Sequence, residues 1–469
     1  MSQKISQSKW ALVESGLSVA MPALSLVLMA RLLQPSDYGV YGVAWAVLAP
    51  LWILVECFFS DYLLLQPDNE ATGRFARSAY GWTLLGTAVL VGGLLAVGPW
   101  LLPTQRADTL QVFQAMAISL ILPALYSVPQ ALVFKAAHFK LLAGRTVAGR
   151  LLALLVGGGL AWQGAGVWAL VAIQLINGVV TVLATWALPL GRVRPSLQAE
   201  PLRGHWAFIL KINANNALSM YSRRVFLLVA AGVASLDTVG RMEMASRVVD
   251  MINSVFTGFA KRLALPLFMK RGTPQPELVA QYWRLTLLTT VVSLLAYSPL
   301  VACGPWVFQT FLGGKWEGAG VLVVYLSLAA GLQAWRYYSF DLANMQDKPG
   351  VNLACQVLSL AMFALAAQWI NGDSLTALGQ AWLVANLGIV VGASLLFHHS
   401  HTLRDWLAGG KTLAMMVGSL GAAWALNTWG PQAGWATLAS LVAAVAIHLG
   451  ISRALAWADW QTMRQRMAA

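Results

Sequence analysis

The chain has 469 residues, 58% of them hydrophobic and 10% charged, and a formal net charge of +13; its mean hydropathy is +0.65. A soluble domain carries about 25% charged residues, so these proportions exclude a soluble globular protein and define an integral membrane protein. The excess of lysine and arginine falls between apolar runs, which makes it loop charge and not a nucleic-acid surface.

Apolar runs of about 20 residues recur from end to end, the length an α-helix needs to cross a hydrocarbon core of about 30 Å. The alternating ten-residue pattern of a membrane barrel is absent. Breaks at Pro, Gly and charge clusters predict an all-α polytopic protein of about fourteen transmembrane helices. The first six run at roughly 10–32, 37–59, 78–102, 110–133, 147–164 and 166–190. The next six run at roughly 206–231, 238–262, 284–311, 319–343, 350–370 and 374–397, and a last pair at roughly 410–428 and 433–457. Lys4 and Lys9 precede the first run, but its length and Glu14 mark it as a retained helix and not a signal peptide.

Short cytoplasmic loops collect Lys and Arg. One set of alternate loops holds Arg74, Arg77, Lys135, Lys140, Arg145, Arg192, Arg194, Arg203, Lys261, Arg262, Lys270, Arg271, Arg284, Lys348, Arg404 and Lys411. The opposite set offers little beyond Arg106, Arg241 and Lys315, so both termini are expected in the cytoplasm. No connection exceeds about 25 residues, too few for a folded extramembrane domain. Cys57, Cys303 and Cys355 stand singly in apolar segments, a pattern of packing residues and not of a disulfide framework or metal knuckle.

A duplication is legible as well. Gly39 to Ala44, after the first helix, aligns with Gly240 to Ala245, after the seventh, and Gly166 to Val171 aligns with Gly379 to Val384. The offset of about 200 residues and the matching places predict two pseudo-symmetric six-helix lobes around a central cavity, related by an axis along the membrane normal. The lobes are 1–190 and 206–400, joined by a cytoplasmic loop at 191–205 and followed by a terminal helix pair in 401–469.

The richest stretch lies between Trp206 and Pro266, because an ionisable side chain in hydrocarbon costs at least about 2.5 kcal/mol and so faces a water-filled path or a partner. On helix seven, Lys211, Asn215, Ser219 and Ser222 share a narrow arc with Arg223 beside it, while Arg224 points about 100° further round. Either these bases face a cavity, or Lys211 snorkels to the interface and the arginines pair with carboxylates between helices. Helix eight carries Glu243, Arg247 and Asp250 on one face. They form a self-neutralised network, or Arg247 faces the cavity while Glu243 or Asp250 takes a proton or cation. Arg336, with Tyr337, Tyr338 and Asp341, is a cavity residue or an interfacial anchor. Glu14 and Glu56 lie near the cytoplasmic ends of helices one and two, as an amino-lobe proton or cation site or as simple exposed acids. His398, His399 and His401 lack a nearby Cys and are not expected to bind metal. Trp100, Trp206 and Trp429 are expected in interfacial belts. Pro22, Pro50, Pro123, Pro129 and the run Gly157 to Gly159 are candidate flex points.

The stretch Ala30 to Tyr41 with Asp37, Tyr38 and Gly39, then Val128-Pro129 leading to Phe134-Lys135, then Gly164 to Val171, and Phe311 to Ala319 around Lys315 and Trp316 resemble the polysaccharide flippases. These are the Wzx-type proteins of the multidrug/oligosaccharidyl-lipid/polysaccharide superfamily, and the resemblance covers nearly the whole chain. It implies a non-enzymatic, two-lobed carrier in the bacterial inner membrane. The cargo would be an undecaprenyl-pyrophosphate-linked glycan, moved from the cytoplasmic to the periplasmic leaflet, with membrane lipids and a polysaccharide polymerase as partners. Arginine forks suit pyrophosphate oxygens, which makes Arg223, Arg224 and Arg247 the leading contacts and Lys211, Arg336 and Asn215 further ones. No cofactor is expected beyond a coupling proton or sodium ion. One departure stands out: where many relatives have an acid late in helix seven, this chain has Tyr221, Ser222, Arg223 and Arg224.

Two other readings remain. A cation-coupled multidrug exporter of the same superfamily would favour an acidic or apolar cavity, and this interior is net basic. A glycosyltransferase, polymerase or ligase acting on the same lipid carrier would need a sizeable aqueous loop or domain, and no loop here is long enough; no nucleotide-binding P-loop appears, so direct ATP hydrolysis is not expected.

Overall fold

The computed structural model describes residues 20–67, 69–102, 107–136, 139–268, 275–339, 349–370, 372–396, 403–430 and 435–468. Among these residues the regular secondary structure is helical, without a strand, and the described part of each predicted span lies mainly on helix. The helices are α1 (Ala20–Leu32), α2 (Pro35–Cys57), α3 (Ser60–Leu65), α4 (Glu70–Leu101), α5 (Ala107–Ser119), α6 (Ile121–Lys135), α7 (Phe139–Trp162) and α8 (Val167–Trp186). After two short 3-10 turns come α9 (Trp206–Val233), α10 (Leu236–Phe268), α11 (Gln275–Leu312) and α12 (Ala319–Gln333). The chain closes with α13 (Pro349–Ala367), α14 (Leu375–Leu396), α15 (Leu403–Trp429) and α16 (Trp435–Ala468). Among the described residues, 8 helical segments are long and apolar enough to cross a membrane. The protein is a multi-pass membrane protein.

Local chemistry sets the helix ends. Pro35 opens α2, where its missing N–H costs nothing, and the Asp37 carboxylate accepts from the Gln34 N–H at 2.9 Å. Asn69 caps α4 by accepting the Thr72 N–H at 2.8 Å. The span predicted at 110–133 is two helices, broken at Leu120, because Pro123 has no N–H to return to the Ser119 carbonyl. Another break separates α2 from α3 at Phe58 and Phe59, where the Asn213 amide donates to the Phe58 carbonyl at 3.0 Å. The span predicted at 319–343 leaves the α-helix at Gln333 and continues as a 3-10 turn over Ala334–Arg336.

Contacts divide the chain into two units, Met1–Gly240 and Arg241–Ala469. In the first, α2 packs against α5, α6 and α9, and α7 packs along α8. Phe59, Tyr62, Leu63, Phe75, Tyr80 and Ile209 form one buried apolar cluster there. In the second, α11 is the central helix, with α12, α15 and α16 around it and α14 bridging α12 and α13. Tyr297, Phe308 and Trp316 are buried in this unit. Inside lipid such packing gains by close contact and not by expelling water. Trp100 and Trp429 are 79% and 82% exposed, as belt residues are.

The two sequence matches behave differently in three dimensions. Gly39 and Gly240 each occupy the fifth position of their helix, α2 and α10. Gly166, by contrast, caps α8 with φ +56°, whereas Gly379 lies inside α14 against the Tyr325 ring. A cap and a packing contact both ask for glycine, which is how the letters match where the local roles do not.

Candidate functional site

Each unit holds a polar cluster inside its helices. In the first, Glu56 sits half-buried in the last turn of α2. Tyr126 from α6 and Trp52, one turn earlier on α2, reach its carboxyl group with their polar hydrogens, and the Arg145 guanidinium acts on it through space from α7. Arg145 is held by its own bond, Nη1 donating to Gln130 Oε1 at 2.8 Å. Tyr126 and Gln130 are four residues apart on α6 and so present one face. Beside the cluster, Asn213 on α9 spends its amide hydrogens on the Phe58 and Ile209 carbonyls at 3.0 and 2.8 Å. Its Oδ1 is buried without a hydrogen-bond partner among the described residues.

In the second unit, the Arg247 Nε donates to Glu243 Oε1 at 3.0 Å across one turn of α10. Glu243 is buried, and Asp250, further along the helix, is exposed. Below them Asn253 Oδ1 accepts from Tyr337 Oη at 3.0 Å and from Tyr297 Oη at 3.5 Å. Tyr338 shares a hydrogen bond of 2.6 Å with Thr289, and Tyr282 Oη donates to the Trp335 carbonyl at 3.0 Å. The tyrosines around Arg336 are thus interior, hydrogen-bonded residues, and Arg336 itself is half-buried in the 3-10 turn near Tyr282 and Cys355.

Of the remaining predicted residues, Arg224 is half-buried on α9. Lys211, Asn215 and Arg223 fall on the same helix, but their side chains lie outside the described residues, as do Glu14, Asp341 and the trio His398, His399 and His401. Sequence reasoning missed Tyr126, Gln130 and Asn253, and it assigned Arg145 to a loop. It also passed over His448, which is fully buried on α16. His448 Nε2 meets the Val291 carbonyl at 2.8 Å and Nδ1 meets the Ser419 hydroxyl at 3.0 Å, so Nε2 carries the hydrogen. A histidine within an apolar run was the available signal.

Among the described residues no three His, Cys, Asp or Glu side chains converge as metal ligands. The clusters pair acids with neutral donors and with arginine, an arrangement suited to holding and releasing polar or charged groups within a bilayer.

Apolar spans in series, with ionisable groups held among them, define a polytopic membrane protein. A family model described as polysaccharide biosynthesis protein matches residues 28–320. The chain belongs to that family. In three dimensions it is similar to the lipid II flippase MurJ in an inward closed conformation, with a TM-score of 0.70 at 12% identity over 95% of this chain and 98% of that one. It is also similar to an inward-facing multidrug resistance MATE family transporter of the MOP superfamily, with a TM-score of 0.57 at 14% identity over 85% and 99%. At these identities the likeness is one of fold. No curated protein matches the chain.

Proposed function

We propose that this protein is a flippase for an undecaprenyl-pyrophosphate-linked oligosaccharide, carrying it from the cytoplasmic to the periplasmic leaflet of a bacterial inner membrane for the synthesis of a cell-surface polysaccharide. The observation that carries the reading is the coincidence of a polysaccharide biosynthesis family with a fold shared, over nearly its whole length, with a lipid II flippase. The polar head enters a basic cavity while the polyprenyl tail stays in lipid, and alternating access carries the head across. Arg223, Arg224 and Arg247 take the pyrophosphate or acidic sugars through forked charge-assisted bonds, with Lys211, Arg336 and Asn215 as further contacts. Glu56 leads the groups available to couple the cycle to protons or sodium ions, with Glu14 in the same lobe and Glu243 and Asp250 in the other behind it. Both termini face the cytoplasm, and a polymerase takes the product.

A binding experiment separates this reading from export of cationic drugs. Purified protein is offered an undecaprenyl-pyrophosphate glycan and, separately, a lipophilic cationic dye. Saturable binding of the glycan lipid that weakens in Arg224→Gln and Arg247→Gln is expected. Tight binding of the dye, with none of the glycan lipid, would favour the exporter.

A further inference from the structure

One cavity of the first unit stands apart from the residues assigned to transport above, none of which lines it. It measures about 280 Å³ and lies between the corner of α3 and α4 and the stretch leading into α9. Both walls are held. Lys135 Nζ donates to the Gln66 carbonyl at 2.8 Å and Thr72 Oγ1 to the Pro67 carbonyl at 2.7 Å, which fixes the end of α3 against the start of α4. On the other side, the Ser196 N–H donates to the Arg77 carbonyl at 2.9 Å. Gly81 lets that stretch lie on α4, because a Cβ there would overlap the Ser196 carbonyl oxygen. The Tyr62 hydroxyl and His205 Nδ1, 143 residues apart in sequence, join the walls through a hydrogen bond of 2.7 Å. The cavity is therefore preformed, which spares a ligand the cost of ordering it.

Its lining has two chemistries. Tyr62 and Phe75 are the buried part, and the His205 ring centroid lies 4.9 Å from that of Tyr62 and 5.9 Å from that of Phe75. With these rings come the amides of Gln66 and Gln198 and the charges of Arg74 and Glu200. Amides donate and accept, Arg only donates, and an ionised Glu only accepts. One base and one acid leave no net charge to draw an anion. We propose that this cavity is a sugar-binding site that takes one uncharged pyranose ring. Such a ring has C–H faces that lie against aromatic rings and a rim of hydroxyls that each donate and accept. The volume falls just under the roughly 300 Å³ at which pockets for drug-sized ligands begin, which holds the site to a single ring. By loop charge the corner of α3 and α4 is at the cytoplasmic end of the spans, the end at which a lipid-linked glycan is loaded. Resting on the flippase reading for its source alone, the ring is the outermost sugar of that glycan, and a free soluble sugar is the other source.

The test is made in nanodiscs, where both faces are open to reagent. Cys57, Cys303 and Cys355 are replaced by serine, and Ala71→Cys, at an exposed position of the lining, is the sole thiol. Methyl glycosides of neutral hexoses and N-acetylhexosamines, and separately sodium phosphate, are titrated against the rate of maleimide labelling. A glycoside that binds should slow labelling about fivefold at about four times its Kd, and phosphate should not. Arg74→Gln and Glu200→Gln, both at exposed positions, should abolish the protection with thermal unfolding unchanged, whereas Arg77→Gln, on the same helix but outside the lining, keeps it. No protection by any glycoside, protection by phosphate alone, or protection that survives both Arg74→Gln and Glu200→Gln would overturn the sugar site. The source is read by adding to the nanodisc lipid an undecaprenyl-pyrophosphate glycan that ends in the protecting sugar. Tethering should bring protection at a concentration about tenfold lower than the free glycoside needs. Equal or absent protection overturns the lipid-linked source and assigns a soluble sugar. Labelling is read without transport, so a protein whose thiol is protected but which moves no glycan sinks the flippase reading and leaves the site standing.

Discussion

Glu56 and Glu243 are both acids held inside a helical membrane protein, and their surroundings differ in kind. Glu243 is answered by Arg247 on its own helix, one turn away at 3.0 Å. Glu56 is answered from elsewhere, by Tyr126 on α6 and Arg145 on α7, with only Trp52 from its own helix. An ion pair within one helix travels with that helix as a rigid unit, and no sliding of neighbours can remake it. A cluster assembled from several helices changes whenever those helices shift. The comparison assigns Glu243 a partner fixed within α10, through one nitrogen of Arg247, and it marks Glu56 as the acid whose environment a transport cycle can alter.

The largest effect should come from splitting the own-helix pair. Glu243→Gln or Arg247→Gln alone leaves one charge without its partner, and since Arg247 is only partly buried the expected loss is about 2 to 3 kcal/mol. The double variant should recover much of it, and thermal unfolding in detergent across the four proteins measures the coupling. If the single and double variants unfold alike, the pair is not a unit and the contrast with Glu56 falls.

Next in size is Asn253→Ala, which removes one acceptor from two tyrosine hydroxyls and should cost about 1 to 2 kcal/mol by the same assay. Tyr126→Phe, which takes one donor from Glu56, should cost about 1 kcal/mol. Smallest in stability is Glu56→Gln, expected within about 0.5 kcal/mol because the amide keeps an acceptor oxygen for Tyr126 and Trp52. Its signature lies in function: transport by Glu56→Gln should lose its response to an imposed proton or sodium gradient, while Glu243→Gln, once corrected for folded protein, keeps it. The reverse pattern would place coupling in α10 and overturn the comparison.

How much could be read beforehand follows from the range of each interaction. The spans were legible because a bilayer demands about 20 apolar residues in sequence, and the Glu243 to Arg247 pair was legible because four residues make one helical turn. The break at Leu120 was foreshadowed by Pro123. The break at Phe58 was not, since it has no proline or glycine and is held by Asn213, 155 residues along the chain. Glu56 was singled out as a membrane acid, but Tyr126, Gln130 and Arg145 could not be joined to it, because helix packing and not spacing brings them together. The Gly39 and Gly240 match was visible as letters only. Its cause, a Cβ position at each glycine that a carbonyl oxygen of Leu236 or Pro35 already fills, needed coordinates.

The central claim, that the chain moves a lipid-linked glycan across a membrane, is tested most directly by protection of an undecaprenyl-pyrophosphate glycan in proteoliposomes against an impermeant glycan-modifying reagent. In protein-free vesicles the inner-leaflet pool stays protected. With the protein present and a proton or sodium gradient imposed, that pool should become modified, at a rate reduced in Arg224→Gln and Arg247→Gln. If the inner pool stays protected under every gradient while a cationic dye is carried across the same membrane, the flippase account is contradicted.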